Sequence, residues 1–192
     1  MHHVSYYVGI PESGKTTLAR RRTADDIGAT GYPAIIIDSM LAGNLADIPA
    51  ATDPSQVVER VWGQGLHTRF HPQNEHDVET VFRAVQGGRR CILFIDEFSR
   101  WASNVYLPEI MEEVLRTYRH LNVIVHATTQ YPGDLHRIAR QCASQVYAFR
   151  CVSVGACKVL SDEWGFDAEK VRAQRQGEFL TWARADGFKS NS

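Results

Sequence analysis

The chain has 192 residues, 44% of them hydrophobic, which is ample for one α/β domain and short for two. A formal net charge of −1 excludes the global basic field that advertises nucleic acid. The longest apolar runs, Ala34 to Ile37 and Cys91 to Ile95, are too short to span a bilayer, and Met1-His2-His3-Val4 lacks the charged-then-apolar plan of a signal peptide. Cys91, Cys142, Cys151 and Cys157 form no C-x-x-C pair, so a reducing, cytosolic compartment is expected. His2 and His3 are read as a flexible terminus rather than as metal ligands.

A first strand is predicted at Val4–Val8. It runs into Gly9-Ile10-Pro11-Glu12-Ser13-Gly14-Lys15-Thr16, which reads G-x-x-x-x-G-K-T, with a helix expected immediately after. The two glycines permit backbone angles that let successive N–H groups curl around a polyphosphate. Pro11, Glu12, Ser13, Gly14, Lys15, Thr16 and Thr17 are therefore the expected nucleotide-binding residues, and ATP with Mg²⁺ is the expected ligand pair. Lys15 would place a point charge on the β- and γ-phosphates, and the Thr16 hydroxyl would ligate Mg²⁺. The positive end of the helix dipole faces the same anion.

A second strand is predicted at Ala34–Ile37. Asp53-Pro54 then offers a cap and a first helical residue for a short helix whose apolar face is Val57, Val58, Val61 and Trp62. Another helix is expected from Glu75 to Gln86, with Val78, Val81, Phe82 and Val85 facing a sheet. The stretches Met40–Ala51, Gly63–Glu75 and Ser99–Leu107 read as long loops, and loops of that length in a compact domain are often functional.

Cys91-Ile92-Leu93-Phe94-Ile95 is an uninterrupted apolar run, the signature of a strand buried on both faces of a parallel sheet. It ends in Asp96 and Glu97, at the carboxyl end of the strand, where ligands bind in open α/β sheets. Asp96 is expected to hold Mg²⁺ or its water shell, and Glu97 to take a proton from the attacking water. An acidic helix cap is the alternative reading of the pair. Pro108 opens the next helix, with Ile110, Val114, Leu115 and Tyr118 on its buried side. The strand Val123–Ala127 follows and leads into Thr128-Thr129-Gln130. A side-chain amide there could sense the γ-phosphate because it both donates and accepts, which favours Gln130 over Thr129. A fifth strand at Val146–Phe149, an amphipathic stretch from Ala156 to Trp164, and a last strand at Glu178–Ala183 complete the pattern. The tail from about residue 187 is read as disordered.

These motifs resemble the FtsK–HerA group of DNA-pumping ATPases. The likeness is carried by Ile35-Ile36-Ile37-Asp38, by Ala127-Thr128-Thr129-Gln130-Tyr131-Pro132, by Val146 through Ser153 and by Gly177-Glu178-Phe179-Leu180. FtsK and HerA carry further domains before the phosphate loop, which here begins at Gly9. The layout is most similar to the genome-packaging ATPases of tailless, membrane-containing viruses with double-jelly-roll capsids. The resemblance implies a RecA-like, mainly parallel sheet of order 5-1-4-3-2, counting the five strands above through Val146–Phe149, within one motor domain over 1–192. It also implies a homo-oligomeric, hexameric ring, double-stranded DNA as partner, and a capsid vertex or portal protein. Membrane association would come only through partners, and the location would be the host cytoplasm or a packaging vertex.

Family members supply an arginine in trans. Arg150 is the first choice because it ends a strand near the expected subunit edge, with Arg119, Arg137 and Arg140 as alternatives. A ring can confine its basic residues to a pore, so the small net charge does not contradict DNA binding. A Zot-like phage assembly ATPase, a small phosphotransferase and a nucleotide-gated interaction module remain open at this point.

Overall fold

The computed structural model describes residues 2–38, 48–88 and 90–184. In chain order the elements are β1 (Val4–Val8), α1 (Lys15–Thr30), β2 (Ala34–Ile37), β3 (Ala50–Ala51), α2 (Pro54–Val58), β4 (Thr68–Phe70), α3 (Glu75–Gly88), β5 (Ile92–Ile95), α4 (Glu109–Leu121), β6 (Ile124–Thr129), α5 (Arg137–Cys142), β7 (Gln145–Phe149), α6 (Val154–Trp164), α7 (Ala168–Ala173) and β8 (Phe179–Ala183). The strands form one eight-stranded sheet of order β3-β4-β2-β5-β6-β1-β7-β8. All pairings are parallel except that of β8, which runs antiparallel to β7.

The central strands are buried along their whole length, as continuous apolar runs require when helices cover both faces. Side chains alternate between two cores. Tyr6, Val8, Ile35, Ile37, Leu93 and Ile95 join the larger one, into which α3 sends Val78, Val81, Phe82 and Val85. Tyr7, Ile36, Ile92, Phe94 and Ile124 point the other way, beneath α1. The predicted apolar face of α4 is buried, with Met111 and Leu121 added to it. No described helix is long and apolar enough to cross a membrane.

The expected order of the five central strands is present, but the sheet extends beyond it on both sides. Two of the stretches read as long loops carry β3 and β4, which add a parallel edge beyond β2. Arg69, on β4, is committed to that edge, since its Nε donates to the Ile48 carbonyl at 2.9 Å. Residues 39–47, which take in the beginning of the first of these stretches, lie outside the described residues, as does the tail from residue 187.

Asp53 caps α2 as its sequence predicts, accepting the Gln56 N–H at 3.0 Å. The helix then widens into a π turn over Glu59–Gly63. Val57 and Val61 are buried, whereas Val58 is 38% exposed and leaves the predicted apolar face. The flexible-terminus reading of His3 is also corrected. Its ring is buried and packs edge-on against His126, with centroids 5.2 Å apart.

Candidate nucleotide site

The carboxyl ends of β1, β5, β6 and β7 meet at one rim, because Val8 is in register with both Thr129 and Ala148, and Ile95 with Ala127. The loop after β1 is tied to both neighbours. The Gly9 N–H donates to the Thr129 carbonyl at 3.2 Å and the Ile10 N–H to the Arg150 carbonyl at 3.1 Å. From behind, the Gly177 N–H donates to the Ser13 carbonyl at 2.9 Å. Glu12 (φ 61°) and Gly14 (φ 99°) take left-handed backbone conformations that curl the loop into the start of α1. Lys15 is its first residue, 7% exposed, with Thr16 half-buried and Thr17, Pro11 and Glu12 exposed.

Ser13 Oγ is buried and has no protein partner among the described residues. Buried hydroxyls are rarely left unpaired, and this one lies two residues before the buried residue Lys15. The residues present therefore fit a polyphosphate.

Gly9 is required for close approach rather than for its torsion angles. A Cβ there would lie 2.6 Å from the Phe149 Cβ and 2.9 Å from Ser13 Oγ. Gly9→Ala is expected to destabilise the fold by about 1–3 kcal/mol through overpacking. At roughly 2–4 °C per kcal/mol for a chain of this size, calorimetry should show Tm falling by several degrees. An unchanged Tm would contradict the packing at Gly9.

Asp96 and Glu97 follow β5, and Thr128, near the end of β6, joins them. The Thr128 hydroxyl donates to Asp96 Oδ1 at 2.8 Å and accepts the Glu97 N–H at 2.9 Å. Burial pushes the Asp96 carboxyl above its ordinary value and the negative charges of Asp38 and Glu97 add to this, while the Thr128 hydrogen bond opposes it. Such a carboxylate gains from a cation beside it. Glu97 adopts a left-handed conformation (φ 55°) uncommon for a non-glycine residue. It precedes a 3₁₀ turn at Phe98–Arg100, but its side chain makes no capping bond. Instead Glu97 accepts the Gln130 N–H and the Gln130 Nε2 donor, each at 3.1 Å, and the Ser99 hydroxyl at 3.3 Å. Thr129 is buried and bonds to the Tyr131 carbonyl. Gln130 is thus the polar residue that faces solvent and touches Glu97. Sequence reasoning misses Thr128, whose only signal is a hydroxyl near the end of a buried strand.

Arg150 directly follows β7, and β8 pairs along β7, so that strand is not the edge of the sheet. The exposed Arg150 side chain lines a cleft of about 240 Å³ with Ile10, Pro11, Glu12, Ser13 and Gln176 of its own chain. Arg140 is paired with Glu163 at 3.2 Å, and Arg119 packs against Tyr118 near the amino end of β6, away from the loop. Placement beside its own phosphate loop makes a mixing experiment decisive. Arg150→Ala chains mixed with Glu97→Gln chains, in mixtures shown to co-assemble, should regain no turnover. Regained turnover would show Arg150 acting across a subunit boundary.

A mainly parallel sheet with a G-x-x-x-x-G-K-T loop after β1 and an acid pair after β5, with β6 between the two strands, defines a phosphate-loop NTPase. The model of the ATPase family associated with various cellular activities (AAA) matches residues 5–151, and the chain belongs to this family and is an ATPase. No curated protein matches it in sequence. Among solved structures it is similar to the genome packaging NTPase B204 from Sulfolobus turreted icosahedral virus 2 in complex with sulfate. The identity is 21% and the TM-score 0.81, over 95% of this chain and 91% of that one. The same protein in complex with AMPPCP superposes with a TM-score of 0.80 at 21% identity, over 95% and 92% of the two chains. The pCW3 conjugation coupling protein TcpA with ATPgS is 13% identical, with a TM-score of 0.68 over 96% of this chain and 58% of that one. The fold implied by the FtsK–HerA resemblance is therefore the fold observed.

Proposed function

We propose that this ATPase is a genome-packaging motor that translocates double-stranded DNA into a preformed capsid. The observation that carries the reading is the superposition on a genome packaging NTPase along nearly the whole of both chains. In this reading the protein works as a homo-oligomeric, hexameric ring in the host cytoplasm, docked on a capsid vertex or portal protein. Any membrane association is through that partner.

In the hydrolysis step, Lys15 and the loop N–H groups hold the β- and γ-phosphates, and Glu97 takes the proton of the attacking water. Gln130 holds both oxygens of Glu97, so a shift of β6 on loss of the γ-phosphate would move the base with it. Thr16 and Asp96 are the residues that would hold Mg²⁺. When bound there, the ion would supply positive charge that offsets the charge developing on the phosphates. Arg150 would contact nucleotide from the cleft it lines.

Duplex DNA would be gripped by basic side chains converging on a pore. With Arg69 committed to the sheet edge, Arg100 is the candidate from the three long stretches. It is exposed, and its guanidinium lies 5.2 Å from the ring of Trp101, which is itself buried. Affinity of the assembled ring for duplex DNA should fall steeply with salt, and Arg100→Ala should reduce that slope by roughly 0.9 for each phosphate left without its guanidinium. Basal turnover should stay intact. A ring that neither binds duplex DNA at low salt nor responds to it would make an assembly ATPase the better reading.

A further inference from the structure

Three ligating side chains far apart in sequence converge beneath α1, away from the phosphate loop. His126 lies on β6 in register with Ser5, upstream of the loop, and Asp26 lies on α1. At 1.5 Å per residue, Asp26 is roughly 16 Å along the helix from Lys15. His126 Nε2 is 2.9 Å from Asp26 Oδ2, and His3 Nε2 is 3.4 Å from the same oxygen. The ligand atoms of all three residues lie within 4.8 Å of one another. We propose that His3, Asp26 and His126 form a transition-metal site that takes Zn²⁺, distinct from the nucleotide site.

The chemistry of the donors selects the ion. Two imidazoles and one carboxylate suit Zn²⁺, whereas Mg²⁺ demands oxygen ligands and retains its waters. Three protein ligands leave a fourth position open, and these residues line a cavity of about 290 Å³ that has room for it. At tetrahedral Zn–ligand distances near 2.1 Å, ligand atoms sit about 3.4 Å apart, so only small rotations are needed to close the set. His126 is 1% exposed, and its Nδ1 lies 2.8 Å from the Tyr7 hydroxyl. That contact would fix the ring with Nε2 toward the metal, as outer-shell partners do.

Protonation favours binding too. Burial pushes the His126 imidazole down, toward the neutral form that ligates. Burial raises Asp26, but hydrogen bonds from His126 and His3 outweigh it and keep it a carboxylate, and an ion entering the set would take the place of those Nε2 protons. His3 reaches the set through Nε2, and its Nδ1 is buried without a partner among the described residues. Arg22 also lines the cavity and opposes a cation, whereas Asp25 supplies a further carboxylate there. An ion would clamp the chain before β1, the phosphate-loop helix and the strand that leads into Gln130.

The test uses the whole chain, stripped with chelator and free of nucleotide, titrated with Zn²⁺ or Co²⁺. One equivalent should bind, and Zn²⁺ at a hundredfold excess over its Kd should raise Tm by roughly 5–10 °C. Co²⁺ should give visible d–d bands without thiolate charge transfer. Asp26→Asn and His3→Gln should each weaken binding by more than the roughly 10–100-fold expected of Tyr7→Phe, which alters only an outer-shell partner. The site is refuted if the parent binds no stoichiometric metal, if Asp26→Asn binds as the parent does, or if the Co²⁺ spectrum shows cysteine ligation. A parent that hydrolyses ATP yet binds no Zn²⁺ refutes this site alone and leaves the motor reading standing.

Discussion

Lys15→Ala is expected to remove tight nucleotide binding while leaving the fold intact. Lys15 is a buried residue, 7% exposed, so its loss would leave phosphate charge in a partly desolvated loop without its cation. Truncating one partner of a buried charge pair costs about 2–5 kcal/mol. At 1.4 kcal/mol per tenfold, affinity should drop roughly 30- to 3,000-fold. Alanine is the best helix former, and Lys15 is the first residue of α1, so Tm should not fall with it. Calorimetric titration with a non-hydrolysable ATP analogue reads the affinity directly. Parent-like binding would place the phosphates elsewhere.

Glu97→Gln should separate binding from turnover. The amide keeps the size of the carboxylate but cannot accept a proton, and losing a general base costs about 10²–10⁴ in rate. Its hydrogen bonds can survive the change. Gln130 offers both a donor and an acceptor, and a flip of its amide would present oxygen to the new NH₂ group. Nucleotide affinity should therefore stay within a few-fold of the parent while phosphate release nearly stops. Near-normal hydrolysis would move the base to another residue and revive a phosphotransferase, in which a substrate hydroxyl replaces water.

The parts of this protein that are legible in sequence are those built from local pattern. Gly9 to Thr16 reads directly, because a strand, a turn needing small residues and a helix start follow one another without interruption. Asp96 and Glu97 stand out because a wholly apolar strand ends abruptly in two charges. The buried faces of α3 and α4 follow from helical periodicity. What stays hidden depends on contacts between distant segments, or on elements too short to show a period. β3 has two residues and β4 three, so neither shows alternation. α5 and α7, of six residues each, escape for the same reason. Strand β8 is visible, but not that it covers β7, nor that Arg150 lines a cleft with its own phosphate loop. Thr128 gains meaning only when β6 is placed beside β5. His3, Asp26 and His126 meet only after β1, α1 and β6 have packed.

The most direct measurement is steady-state phosphate release by the assembled protein, with and without duplex DNA, for the parent and for Glu97→Gln. The parent should hydrolyse ATP at a basal rate and release phosphate faster when duplex DNA is added, the gain fading as salt rises, while Glu97→Gln stays near zero in both conditions. Parent hydrolysis that is indifferent to duplex DNA at every salt concentration, in rings shown to be assembled, would contradict the coupling of this site to DNA movement.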